Sequence, residues 1–185
     1  MSSIEEAAKP IMIPMMRGDA VRLDADSKEK LTHWIALKTM VADANVTGDT
    51  VLTGAERSAF MSDRVLPSSF SAYVGRTSGK LWSTRFHRHA ATLGLSSDAQ
   101  IPLSGKNTQT IIFGANELFV VAFLDAAKVG LQLDAKIQTK VPLLHPDRGE
   151  VLSWPPAESL LDIEAAQVAT GLDRLFQSPR VRWMQ

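Results

Sequence analysis

His87 and His89, separated by one residue, are the first place in this chain where metal chemistry has a geometric basis. On a strand, residues two apart point to the same face, so both imidazoles would be offered to one ion. A third ligand has to come from Asp125, Glu117 or Asp147, and nothing in the spacing ties any of them to the pair. Arg85, His87 and His89 alternating with Phe86 and Arg88 is also the pattern of a strand with a solvent-facing side, and that is the reading we adopt. No metal ligand is assigned and no cofactor is expected.

The same stretch holds the densest local group of cations. Arg76, Lys80, Arg85, His87, Arg88 and His89 fall within one expected hairpin, with Trp82 and Phe86 interleaved. Cationic side chains neutralise phosphates and aromatic rings stack on bases, so this composition suits a nucleic acid or another partner. Solvated charge on an exposed sheet face is the commoner explanation. The terminal RVRW, residues 180–183, adds a second basic segment with an aromatic.

Other chemistries find less support. The serines carry no nucleophile-elbow pattern. GKN at 105–107 lacks the upstream glycine of a phosphate-binding loop. Cysteine is absent, which removes thiolate metal sites, disulfides and thiol nucleophiles. Glu5, Glu6, Asp162 and Glu164 sit where expected helices begin, so their charges complement helix dipoles. No catalytic residue is assigned, and the chain is not expected to be an enzyme.

The elements that must position these residues follow from length and pattern. At 185 residues, 45% hydrophobic and 22% charged, the chain fits one domain with a real core. Lys plus Arg and Asp plus Glu both number 20, so no global basic field advertises nucleic-acid binding, and any such contact needs a local patch. No apolar run reaches the roughly 18–20 residues that span a bilayer. Acidic residues stand where a signal peptide would be apolar, so a soluble cytoplasmic protein without membrane contact is expected.

Ser3 and Glu6 match a capping box, and Pro10 is expected to end that first turn or to start another, with Ile11, Met15 and Met16 sharing a core-filling face and Gly18 as the stop. Asp24 or Asp26 caps the clearest helix, whose stripe is Leu31, Trp34, Ile35, Leu37 and Val41, with Asn45 and Gly48 as stop signals. Thr53 and Glu56 match a second capping box, and Phe60 faces inward. From Phe70 the period falls to two. FSAYVGR, LWSTRFHRHAATL, the two runs around Gly114-Ala115-Asn116, and AKIQTKVPLLHP supply about five mostly antiparallel strands. A second amphipathic helix is expected over 157–177. The fold class expected is α+β: a helical part over 1–65, a β-rich part over 70–145, and a C-terminal helix packed on the sheet, all within a single domain 1–185.

The opening MSSIEEAAKPIMIPMMRG, followed by LTHWIALKTMV, resembles a poorly characterised group of bacterial and phage proteins related to HNH endonucleases. Met1, Ser2, Ile4, Glu5, Lys9, Pro10, Arg17 and Gly18 fall on the first part of that pattern, and Trp34, Lys38 and Thr39 on the second. YVGR and SWPP resemble its C-terminal half more loosely. The cysteines and upstream histidine of the family's metal-binding half have no counterpart here, so the resemblance implies a C-terminal domain without the nuclease chemistry. Such a domain works by contact. The expectation is a non-catalytic protein that binds a protein or nucleoprotein complex, as a phage- or mobile-element-encoded inhibitor of a host defence complex. The alternative is a nucleic-acid-binding accessory domain that uses residues 76–89 and the basic tail.

Overall fold

A computed structural model describes residues 3–46, 50–93 and 105–177, the last six of these by backbone alone. The RVRW tail and Gly48 lie outside these residues. The chain folds as an α+β protein in the order α1 (Ser3–Arg17), β1 (Val21–Leu23), α2 (Ala25–Ala44), α3 (Gly54–Asp63), β2 (Phe70–Arg76), β3 (Phe86–Ala91), β4 (Thr108–Ala115), β5 (Leu118–Asp125), α4 (Ala135–Gln138), β6 (Leu143–His145), β7 (Leu152–Trp154) and α5 (Asp162–Gln177). The main sheet has the antiparallel order β3-β4-β5-β2-β6, and β1 pairs with β7 in a small second sheet.

Local chemistry accounts for several element boundaries. Asp24 caps α2 by accepting the Ser27 N–H, and Thr53 and Glu56 close a reciprocal capping box at α3. Gly18, at φ +80°, ends α1 in the left-handed region. Pro10 does not interrupt that helix. Pro10 and Pro14 both lie inside it, and burial of Ile4, Ala8, Ile11 and Met15 against α2 holds it together despite two missing N–H donors. The methionine-rich stretch is core packing, with Met15 fully buried and Met16 partly so.

Three expectations need correction. AKIQTKVPLLHP is a strand only at Leu143–His145, because Asp134 caps the single turn α4 by accepting the Lys136 N–H. The C-terminal helix starts at Asp162 and not at 157, because Leu160 bridges to Thr77 and Glu164 accepts the Leu161 N–H. Most consequentially, β2 and β3 form no hairpin. β3 pairs with β4, and β2 pairs with β5 and β6, so two strands separate them.

Strands β4 and β5 are buried along nearly their whole length because both sheet faces are covered. One face carries Ile111, Phe113, Val120 and Ala122 and packs under α1 and α2. The other carries Ile112, Phe119, Val121 and Phe123, and α5 closes it with Ala165, Val168 and Ala169. No described helix is long and apolar enough to cross a membrane.

Candidate partner-binding groove

The absence of a β2–β3 hairpin disperses the cationic group read from the sequence. Arg76 stands at the end of β2, where its Nε donates to Glu117 Oε2 at 2.6 Å. Lys80 and Arg85 are exposed on the segment that links β2 to β3. Within β3 the alternation sends side chains to opposite faces. His87 and His89 are opposite Ile112 and Thr110 on the α5 side, whereas Phe86 and Arg88 are opposite Phe113 and Ile111 on the α2 side. Both histidines are half-buried, so the solvent-facing side expected for them is instead the side that α5 packs against.

Trp82 cannot serve as a stacking platform for a base. It is 4% exposed, and its indole packs edge-on against Phe119 with ring centroids 5.4 Å apart. Gly114 makes this burial feasible: a Cβ there would lie 1.4 Å from the Trp82 carbonyl oxygen. The 80–85 segment is stitched along the β4–β5 turn as Gly114 N–H donates to Arg85 O at 2.9 Å and Asn116 N–H to Ser83 O at 2.7 Å. Trp82 thus belongs to the core, and the surface aromatic of this region is Phe86, at 58% exposure.

The metal reading finds its candidate third ligands engaged elsewhere. Asp125 accepts the N–H groups of Val129, Gly130 and Leu131, Glu117 accepts from Arg76, and Asp147 accepts from Lys28. No three His, Asp or Glu side chains gather at a metal-binding distance among the described residues.

Where α2 passes the edge of the sheet, a groove of about 490 Å³ opens between its C-terminal half and β3. Trp34 and Phe113 form the floor, packed edge-on with centroids 5.6 Å apart. Val41 and Phe86 form the two lips. Val41, which the helical stripe placed in the core, is 50% exposed. The reason is that α2 packs against other elements around much of its circumference, burying Lys28, Thr32, Thr39 and Asp43 as well, so one apolar stripe does not describe it. Groove-lining Phe86 and Val41 were each legible as apolar residues, but their adjacency depends on β3 pairing with β4.

Among the described residues, the charged side chains lining this groove are all cationic. Lys38 donates to Glu5 Oε1 at 2.7 Å, Arg88 Nε donates to Gln109 Oε1 at 2.8 Å, and the exposed Arg85 makes no ion pair among the described residues. Arg88 is also 4.0 Å from the fully buried Asp43, which accepts the Val51 and Leu52 N–H groups and pairs with Arg57 at 3.0 Å. The result is an apolar trough with a cationic rim. Clefts of this size and lining suit an apolar anchor with a few polar contacts at its edge.

The perturbed titratable groups lie elsewhere. Burial, reinforced by the nearby charge of His33, lowers the His145 pKa from its ordinary 6.5, and Asp147 opposes the shift. The Lys28 ammonium holds the Asp147 carboxyl below its usual range, helped by the Gly149 N–H. Lys28 is itself buried, and donates also to the Glu150 carbonyl at 2.6 Å, so this pair latches α2 to the loop after β6. Lys140 and Glu164 pair at 2.6 Å, raising the first pKa and lowering the second. Each of these shifts traces to burial or to a structural ion pair.

Comparison with protein-family models, with curated proteins and with solved structures gives no match.

Proposed function

We propose that this chain is a non-catalytic interaction protein that engages a protein or a protein-containing complex through the groove between α2 and β3. The observation that carries the reading is the groove itself, where exposed Val41 and Phe86 flank a preformed floor of Trp34 and Phe113. Aromatic side chains that stand in solvent beside a shaped apolar trough are typical of interface anchors. The sequence resemblance to the C-terminal region of HNH-related bacterial and phage proteins supports a contact role. It also supports the finer reading, an inhibitor of a host defence complex encoded by a phage or mobile element and acting in the cytoplasm.

Nucleic-acid binding is the second reading, favoured by exposed Lys80 and Arg85 beside exposed Phe86. Capture experiments separate the two. A tagged chain incubated with nuclease-treated bacterial lysate should retain a stoichiometric protein band, and the Phe86→Ser variant should not. Bands that disappear with nuclease, together with a steep fall in affinity as salt rises, would favour nucleic acid.

A further inference from the structure

We infer that the occupant of the α2–β3 groove is an acidic amphipathic segment of the partner protein, with an aromatic or large aliphatic side chain seated on Trp34 and Phe113 and a carboxylate facing Arg85. This deepens the interaction reading above and rests on it.

Charge decides among occupants. Among the described residues, Lys38, Arg85 and Arg88 line the groove and no carboxylate does, in a chain whose total charge is balanced at 20 basic and 20 acidic residues. Glu5 and Asp43 answer Lys38 and Arg88 from outside the lining, while Arg85, exposed on the β3 side, makes no ion pair among the described residues. An incoming carboxylate therefore meets a cation at the rim while the apolar floor takes the neighbouring side chain, and charge complementarity of this kind sets partner choice and association rate. The chain's own C-terminal sequence, with Arg180 and Arg182, carries the wrong sign. A second copy docking groove to groove would oppose cations with cations, since a twofold contact pairs a patch with itself. Nucleic acid matches the sign, but it leaves an apolar floor of Trp34 and Phe113 with nothing to bury, because among the described residues Phe86 is the one exposed ring offered for stacking.

The test is selection of a random peptide library displayed on phage against the full chain, followed by fluorescence anisotropy of the enriched peptides. Enrichment of an aromatic or large aliphatic residue next to Asp or Glu is expected. Phe86→Ser should weaken those peptides more than tenfold, as for a central aromatic anchor. Arg85→Glu should weaken them about fivefold and restore binding to peptides whose Asp or Glu is changed to Lys. Basic or charge-neutral enrichment, or affinities indifferent to Phe86 and Arg85, would overturn the groove assignment and leave the interaction reading standing if the lysate band persists. Enrichment of nothing, with capture abolished by nuclease, would overturn both.

Discussion

Arg88 and Asp43 face each other between β3 and α2, with the guanidinium Nη2 4.0 Å from a carboxylate oxygen that has no solvent exposure. Asp43 also accepts the Val51 and Leu52 N–H groups and pairs with Arg57. One buried carboxylate therefore fixes the start of the segment leading into α3 and compensates an arginine of the groove wall. Asp43→Ala leaves two amides without their acceptor and takes one ion-pair partner each from Arg57 and Arg88. A loss of about 3 kcal/mol in urea unfolding is expected. Asp43→Asn, which keeps one carbonyl acceptor, should lose less.

Trp82 distinguishes a core residue from a binding platform. Because its ring is buried against Phe119, Trp82→Ala should destabilise the fold by about 3–5 kcal/mol. A platform residue would instead give a folded variant that fails to bind. Thermal unfolding followed by circular dichroism checks this directly.

Two glycines should respond in opposite directions. Gly114→Ala drives a methyl into the Trp82 carbonyl, a backbone atom that cannot rotate away, and a loss of about 3 kcal/mol is expected. Gly171, inside α5 with no described residue beyond its own chain neighbours and helix backbone within 4 Å of an added Cβ, should gain about 0.5–1 kcal/mol on change to Ala. Urea midpoints of the two variants measure both.

The pH dependence follows from His145. Its folded pKa lies below its ordinary 6.5, so the unfolded chain takes up the proton first and stability rises with pH through this window. The contribution is fully present above the ordinary value and is lost as pH falls from there towards the folded one. The groups facing it are His33, whose charge adds to the shift, and Asp147, whose charge opposes it. Urea midpoints taken between about pH 8 and pH 5 should decline with acid, and His145→Gln should flatten that decline. A second decline in the carboxylate range is expected as Asp147 and Glu164, both held low by lysines, take up protons.

Much of the fold was legible because its local signals agree with its packing. The α2 cap, narrowed to Asp24 or Asp26, the cap at Thr53, the stop at Gly18 and the unbroken apolar run of β5 each specify their element without tertiary help. What failed required long-range pairing. Residues 76–89 carry a turn-like TSGK between two strand-like runs, yet β2 and β3 are separated by β4 and β5. That exchange of partners sends the histidines to the α5 face and Arg88 to the α2 face, and it buries Trp82. Short-range periodicity contains no information on which strand becomes a neighbour. The candidate site was therefore half readable: Arg85, Phe86 and Arg88 were named from sequence, while Trp34, Val41 and Phe113, the apolar part that gives it shape, became visible only with α2 laid against the sheet edge.

The most direct measurement is a capture experiment from nuclease-treated bacterial lysate, run in parallel with the wild-type chain, Phe86→Ser and Ile163→Ser. Phe86 and Ile163 are both exposed, at 58% and 63%, so neither change should cost more than about 0.5 kcal/mol of stability. Ile163 lies on α5, across the sheet from the groove. The result expected is one protein band, retained at equal yield by wild type and Ile163→Ser and lost from Phe86→Ser. An equal yield from all three proteins, or a loss confined to Ile163→Ser, would contradict a partner-binding role for the α2–β3 groove.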